Sequence, residues 1–143
     1  MGAADFYLAS YPNSAEYKIS VYALFMEEAL RLTRLGGLQG YVVPDSFLLG
    51  KYFSRVRSYF LDESLISSIV LFREDFWESG TVGLPVVYIA QRQIQAEADH
   101  SHTVEVSVVG SVADFVAKVF TTDDIPQAFF SASPRRGFRL IVG

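Results

Sequence analysis

Two large aromatic residues stand side by side in an otherwise polar segment. Phe76 and Trp77 lie within Arg73–Gly83, where exposed apolar area needs a physical reason. The rings could fold back over the end of a sheet, which the loop composition favours. Alternatively, one ring could offer its flat face to an unstacked nucleic-acid base, an interaction worth roughly 1–3 kcal/mol.

Asp45 is the second candidate for chemistry. It follows Pro44 and the short apolar run Leu38–Val43, so it stands at the carboxyl end of a predicted strand. Ligands of α/β sheets usually bind at that edge. Aspartate is also a preferred N-cap, and this interpretation is favoured, although the two roles are compatible.

The histidines and glycines of the sequence predict no metal site and no nucleotide-binding loop. His100 and His102 have the spacing of a metal pair on a strand, but no third ligand is evident, and no metal site is predicted. Gly36-Gly37 follows a predicted helix and is interpreted as its C-terminal stop, since a phosphate-binding loop would precede a helix. The sequence therefore predicts no nucleotide cradle. Without cysteine, disulfides and thiolate chemistry are excluded.

The composition indicates one globular domain. Of 143 residues, 50% are hydrophobic, which excludes wholesale disorder. A net charge of -4 argues against a stand-alone nucleic-acid binder, which usually carries a basic excess. The longest uncharged apolar stretch, Gly83–Gln91, is too short to span a bilayer. The start resembles no signal peptide, so a cytoplasmic location is expected.

Hydrophobic periodicity predicts an α/β fold. Residues 1–18 show no period and are predicted to form a loop with aromatic anchors. A helix over Ser20–Leu35, capped by Ser20, is followed by a strand over residues 38–43. A second helix runs from Asp45 or Ser46 to Leu61, with Lys51, Arg55 and Arg57 off its buried stripe. Further strands are predicted at Ser64–Phe72 and Leu84–Gln91.

Residues 93–143 are predicted to form a β-rich extension that begins with a polar linker. Thr103–Val109 alternates as a strand does. Val112–Phe120 fits either a short helix or an extended segment. The turn residues Ser133–Gly137, flanked by Ala128–Phe130 and Phe138–Val142, favour a hairpin.

Several of these pieces, taken in order, resemble a known enzyme family. They are Ser20–Phe25, Ala29–Leu32, Leu35–Gly37, Tyr41–Leu48 and Arg57–Leu61. This order is similar to the gamma-class adenine-specific DNA methyltransferases, including Eco57I-like enzymes of type IIG restriction–modification systems. The resemblance covers about residues 17 to 92, and residues 19–92 correspond to the second half of the family's catalytic domain.

The resemblance implies a function and a set of site residues. Such enzymes transfer a methyl group from S-adenosylmethionine to the amino group of an adenine extruded from double-stranded DNA. Phe76, or else Trp77, would stack on the extruded base, with Pro44 and Asp45 at the substrate edge. Candidates for the DNA backbone are Lys51, Arg73, Arg135 and Arg136, and the extension would lead toward a target-recognition region.

Two family motifs are absent from these 143 residues. There is no glycine-rich cofactor loop and no Asn-Pro-Pro-Tyr motif, so no catalytic residue is assigned. Residues 1–18 would follow the missing motif, and Met1-Gly2 is interpreted as an artificial start. These residues alone are expected to be inactive and to bind no S-adenosylmethionine. Two alternatives stay open: a non-enzymatic α/β module that binds a partner through a sheet edge, and a related methyltransferase acting on another substrate.

The resemblance also predicts a sheet order. The strand at 84–91 should lie between those at 38–43 and 65–72, antiparallel to both. One edge of strand 38–43 would then lack the parallel partner that the family's missing first half supplies. We expect that edge either to be covered by residues 1–18 or to pair with a second copy as a homodimer.

Overall fold

The fold is a mixed five-stranded sheet with helices, seen in a computed structural model that describes residues 2–75, 77, 83–93 and 101–140. In chain order, the helices are α1 (Ala3–Ser10), α2 (Val21–Leu32), α3 (Ser46–Leu49), α4 (Ser54–Glu63), α5 (Val112–Val116) and α6 (Gln127–Ala132). The strands are β1 (Leu38–Pro44), β2 (Ser64–Phe72), β3 (Pro85–Arg92), β4 (Thr103–Val109) and β5 (Thr122–Pro126). Short 3-10 helices cover Lys51–Phe53 and Pro134–Arg136.

The sheet has the spatial order β1-β3-β2-β4-β5. β3 is antiparallel to both β1 and β2. The β1–β3 pair is in register from Leu38 opposite Gln91 to Pro44 opposite Pro85. β4 is parallel to β2, and β5 returns antiparallel to β4. The predicted order of the first three strands is confirmed.

The core lies on one face of the sheet, where the helices α2, α3, α4 and α6 cover it. Met26 and Leu30 of α2, Phe60 of α4 and Phe130 of α6 are buried against the strands. The other face is open in part, since Leu38 of β1 and Ile89 of β3 are 67% and 39% exposed. None of the helices in the described ranges has both the length and the hydrophobicity of a membrane span.

The first residues differ from the predicted loop. Ala3–Ser10 form the helix α1, and the segment after it packs on other helices. Glu27 of α2 is buried and accepts hydrogen bonds from Asn13 Nδ2 at 3.1 Å and Ser14 Oγ at 2.6 Å. Residues 2–18 add no strand to the sheet, so within the described chain they do not cover β1. Of the two expected outcomes for that edge, a covering strand from residues 1–18 is not seen among the described residues, and pairing with a second copy stays a prediction.

The tail also differs from prediction. Residues 127–132 are the helix α6, and a 3-10 turn follows it, so the predicted hairpin is wrong. Gln127 explains why a helix starts there, because its side chain reaches the irregular part of β2. Its Oε1 accepts from the Ile66 backbone nitrogen at 2.9 Å, and its Nε2 donates to the Ser64 carbonyl at 2.8 Å. The ambiguous stretch after β4 forms the short helix α5, with Ser111 accepting a capping bond from Asp114.

Candidate functional site

The carboxyl ends of β1, β2 and β4 share one edge of the sheet. The three strands run the same way, since β3 is antiparallel to two of them and β4 is parallel to β2. Pro44, Asp45 and Arg73 lie at or just after these ends. Ligands of α/β sheets bind at such an edge, so we call it the substrate edge.

Asp45 joins the end of β1 to the start of β3. Its backbone nitrogen donates to the Leu84 carbonyl at 2.9 Å, and its Oδ1 accepts from the Leu84 nitrogen at 3.1 Å. Gly83, at φ +111°, keeps this contact clear, because a Cβ there would come within 2.7 Å of Oδ1. The carboxylate makes no capping hydrogen bond to α3. The side-chain N-cap prediction is therefore wrong. Asp45 has helical backbone angles, and its carboxylate instead accepts a hydrogen bond from Leu84, just before β3.

Tyr22, at the start of α2, contacts residues beside the substrate edge. Its hydroxyl is 2.6 Å from Ser46 Oγ, and its ring stacks on Phe53 with centroids 5.2 Å apart. Burial raises the pKa of Tyr22 from 10.0 to about 12, and the hydrogen bond with Ser46 opposes that shift only in part. The hydroxyl is therefore a neutral hydrogen-bonding group at the substrate edge.

A cavity of about 870 Å³ opens beside Asp45 and Ser46. Its other walls are residues 48–50, Arg57, Leu71 of β2 and the tail residues 134–135 and 137–140. Asp45 and Arg135, two of the predicted site residues, thus line the same space. No sequence pattern predicts the cavity, because its walls are some 90 residues apart in the chain.

Arg57 is the buried cation of this region. Its Nη1 donates to the carbonyls of Phe47 at 3.1 Å and Gly50 at 2.7 Å, and its Nη2 donates to the Arg135 carbonyl at 3.1 Å. The side chain is only 1% exposed, and its Nε has no hydrogen-bond partner. Burial lowers the pKa of the guanidinium, an effect that the charge of Glu16 opposes.

The sequence interpretation placed Arg57 off the buried stripe of its helix, and that is wrong. Arginine is almost never fully buried unless its donors are paired, so periodicity alone assigned it to the surface. The carbonyls that pair it come from α3 and from the tail, which no local pattern reveals. The one available signal was its place in the family-like run Arg57–Leu61.

The four predicted DNA-backbone cations are dispersed over the surface. Lys51 and Arg73 are exposed, the first after α3 and the second after β2. Arg135 is exposed at φ +55° beside the cavity. Arg136 instead donates to Asp62 Oδ1 at 2.8 Å in an ion pair. Of the four, Arg135 alone shares the cavity with Asp45.

Of the two aromatic and two histidine candidates, the structure describes Trp77 and His102. Trp77 is half-buried, and its backbone nitrogen donates to Asp75 Oδ1 at 2.8 Å. Phe76 and His100 lie outside the described residues. His102 Nε2 is 2.7 Å from the Ile66 carbonyl, and no metal-binding cluster of acidic, histidine or cysteine residues occurs within the described ranges.

Neither the turn between β1 and α3 nor the turn between β4 and α5 is a glycine-rich cofactor cradle. A cofactor cradle needs a glycine-rich turn between a strand and the following helix. Asp45 alone separates β1 from α3, so there is no glycine in that turn. The turn after β4 has only Gly110, whose open side faces Asp114 Oδ2, 2.8 Å from where a Cβ would lie.

Comparison with known proteins identifies a family and a fold. The sequence profile of the "Eco57I restriction-modification methylase" family matches residues 2–77. No curated protein is similar enough in sequence to count as a match.

Three solved structures are similar to this one. The type IIG restriction endonuclease BpuSI superposes on 94% of the chain with a TM-score of 0.68 and 14% identity, and the match covers 18% of BpuSI. A modification subunit of a putative type I restriction enzyme from Vibrio vulnificus YJ016 matches 71% of the chain and 27% of its own length, at TM-score 0.53 and 15% identity. A DrdV–DNA complex matches 95% of the chain and 15% of its own length, at TM-score 0.55 and 12% identity.

The matches show the fold of the chain and the share of each similar protein that the chain spans. The mixed sheet with its helices is the α/β fold expected for the second half of a class I methyltransferase domain. The chain spans 18% of BpuSI, far less than the whole of that protein.

Proposed function

The chain belongs to the Eco57I restriction-modification methylase family, and from that premise we propose that it is part of an adenine-specific DNA methyltransferase. The complete enzyme would move a methyl group from S-adenosylmethionine to the amino group of an adenine extruded from double-stranded DNA. This chain would contribute the substrate edge. The cofactor loop and the catalytic motif would come from the preceding half of the same domain.

The observation that carries this proposal is the family match over residues 2–77. That range contains the substrate edge up to Trp77, including Asp45 and the Tyr22–Ser46 contact. Among the relatives of known structure, DrdV was determined in a complex with DNA. The residues after β4 would lead toward a target-recognition region.

Extrusion of the base explains why an aromatic is needed at this edge. The amino group of adenine cannot be reached inside a stacked duplex, so the base must leave it. A flat ring then replaces the lost stacking, worth roughly 1–3 kcal/mol. Phe76 or Trp77, just after β2, would supply that ring.

The chemistry is tested by giving the complete enzyme DNA and isotopically labelled S-adenosylmethionine, followed by nucleoside analysis. The proposal expects label in N6-methyladenine. Label in methylcytosine, or in RNA and not in DNA, would refute the adenine assignment.

Phe76→Ala in the complete enzyme should lower the methylation rate and weaken base extrusion, while cofactor affinity stays the same. Fluorescence of 2-aminopurine at the target position reports extrusion, because the probe brightens when it leaves the stack. Trp77→Ala is the matched variant, and the larger effect identifies the stacking ring. If neither variant changes fluorescence or rate, both rings serve only packing.

A second candidate function is a non-enzymatic module that binds a partner through a sheet edge. The exposed edge strand favours it, because Leu38 and Val42 of β1 are 67% and 40% exposed. The coding sequence upstream separates the two functions. A glycine-rich loop and Asn-Pro-Pro-Tyr within about 150 residues, roughly one domain length, support the methyltransferase.

A further inference from the structure

Two tyrosines and three cations converge beside the substrate edge. We call this surface the Tyr52 patch: Tyr17, Lys18, Lys51, Tyr52 and Arg55. The ring of Tyr52 has two ammonium groups near it, with Lys51 Nζ at 5.5 Å and Lys18 Nζ at 5.6 Å from its centroid. The Tyr17 ring is 5.9 Å from that of Tyr52 and is 85% exposed.

The patch is a local concentration of positive charge on an acidic chain. The whole chain has net charge -4, yet Lys18 and Lys51 lie over one ring here, and Arg55 bonds to the Ala15 carbonyl in the segment that leads to Lys18. The nearest carboxylate in sequence, Glu16, is engaged at the start of α4. It accepts hydrogen bonds from Ser54 Oγ and from the Arg55 backbone nitrogen, each at 3.1 Å. Lys18 and Lys51 have no ion pair within the described chain.

Side-chain contacts connect the Tyr52 patch to the substrate edge. Phe53, which follows Tyr52, stacks on Tyr22, and the Tyr22 hydroxyl bonds to Ser46 directly after Asp45. Arg55 Nη1 donates to the Ala15 carbonyl at 3.0 Å, which fastens the segment of Tyr17 and Lys18 to α4. The Tyr52 patch is therefore a neighbouring surface for a nucleic-acid strand that delivers a base to the substrate edge.

We propose that the Tyr52 patch is a DNA-strand contact surface, on which Lys18 and Lys51 bind backbone phosphates and Tyr17 packs on an adjacent sugar or base. The inference rests on the proposed function for its choice of DNA. Both ammonium groups lie within 5.6 Å of the Tyr52 ring centroid, so a polyanionic backbone meets two cations at one place. Cations beside an exposed aromatic face match a ligand that carries both phosphates and planar rings. An acidic peptide would satisfy the lysines and leave Tyr17 unused.

The test measures binding of a labelled short DNA duplex to the complete enzyme by fluorescence anisotropy across a range of salt concentrations. Loss of two phosphate contacts in Lys18→Gln/Lys51→Gln should lower the slope of log affinity against log salt by about 2. Affinity at low salt should fall at least about tenfold. Lys118→Gln is the matched control: it removes an exposed lysine elsewhere and should change neither quantity. The thermal midpoint should not change in any of these variants, because the lysines are exposed.

Tyr17 separates nucleic acid from an acidic protein partner. Tyr17→Leu should weaken binding about tenfold with the salt slope unchanged, while Tyr17→Phe keeps the ring and the affinity. An unchanged slope and affinity in the double lysine variant would overturn the inference. So would an equal loss in Lys118→Gln, since it would reflect total charge alone.

Failure of the patch and failure of the proposed function give different results. Binding needs no methyl donor, so an enzyme that methylates adenine normally while the double variant binds like wild type refutes the patch alone. An enzyme that shows the expected change in slope but transfers no methyl group to adenine refutes the proposed reaction alone.

Discussion

The guanidinium of Arg57 carries a charge inside the fold, with three backbone carbonyls and no carboxylate as its hydrogen-bond partners. Two of those carbonyls belong to Phe47 and Gly50, around α3, and the third to Arg135 in the tail. One side chain therefore joins segments 78 residues apart at the wall of the cavity. Its role here is positional, because it sets the distance between the substrate edge and the tail.

Replacing Arg57 with Met keeps most of its volume and removes all three hydrogen bonds. The Gly50 carbonyl keeps the Phe53 nitrogen as a donor, whereas the Phe47 and Arg135 carbonyls lose the donor that Arg57 supplies. A buried carbonyl without a donor costs about 1–3 kcal/mol, so we expect the free energy of unfolding to fall by about 3 kcal/mol. Urea unfolding measures the change. Arg34→Met, at an exposed arginine, is the control and should stay within about 0.5 kcal/mol of wild type. Equal effects of the two substitutions would contradict a positioning role.

The stability of the folded chain should depend on alkaline pH through Tyr22. Its pKa is raised from 10.0 to about 12 by burial, so the folded chain keeps the proton where the unfolded chain has lost it. The stability due to this group is thus complete below pH 10 and is lost as pH rises toward 12. Urea unfolding between pH 9 and 12 should show the fall. It should be shallower in Tyr22→Phe, and an identical slope in the variant would show that Tyr22 is not its source.

At the scale of elements, the sequence predicted best where a local pattern was enough. α2 begins after Ser20, as its apolar stripe indicated, although the Ser20 side chain makes no capping bond, and β1 ends at Pro44. The second predicted helix is interrupted, with α3 ending at Leu49 and α4 starting at Ser54. Periodicity runs through the interruption, because apolar residues on both sides of Gly50 face the same core.

Other elements depended on distant contacts that no window of sequence contains. Residues 127–132 carry turn-like and aromatic residues that fit a hairpin, yet Gln127 is drawn into the irregular part of β2, 61 residues away. Asp45 shows the same limit within the site. Its type and place predicted a cap, whereas its bond to Leu84 forms only once β3 lies beside β1.

The interruption at Gly50 requires a residue without a side chain. A Cβ there would be 2.3 Å from the Ser46 carbonyl oxygen and 2.6 Å from the Phe53 ring, so α3 and the 3-10 turn could not close together. Gly50→Ala should lower the free energy of unfolding by about 1–3 kcal/mol, the range for overpacked sites. Gly40→Ala in β1 is the matched control, because its Cβ would meet nothing nearer than 3.8 Å. Thermal unfolding should leave Gly40→Ala close to wild type, and equal losses would contradict the steric explanation.

At the scale of the whole molecule, the sheet is asymmetric. Helices cover one face and bury its strands, while Leu38, Val42 and Ile89 are exposed on the other. β1 lies at the end of the sheet, and within the described chain only β3 pairs with it. Its other edge therefore offers unpaired backbone groups next to exposed apolar side chains, the combination that recruits another strand.

Since residues 2–18 do not cover that edge, we expect two copies of the isolated chain to associate through β1. Light scattering should show a mass that rises with concentration, and amides of residues 38–44 should exchange more slowly in the associated form. Val42→Lys places a charge beside the edge and should return the chain to a monomer. Ile89→Lys is the matched variant, with similar exposure of 39% against 40% on the interior strand β3, and should leave edge pairing largely intact. A clean monomer with rapid exchange along β1 would contradict the prediction. Equal disruption by both lysines would assign the association to the open face and not to the strand edge.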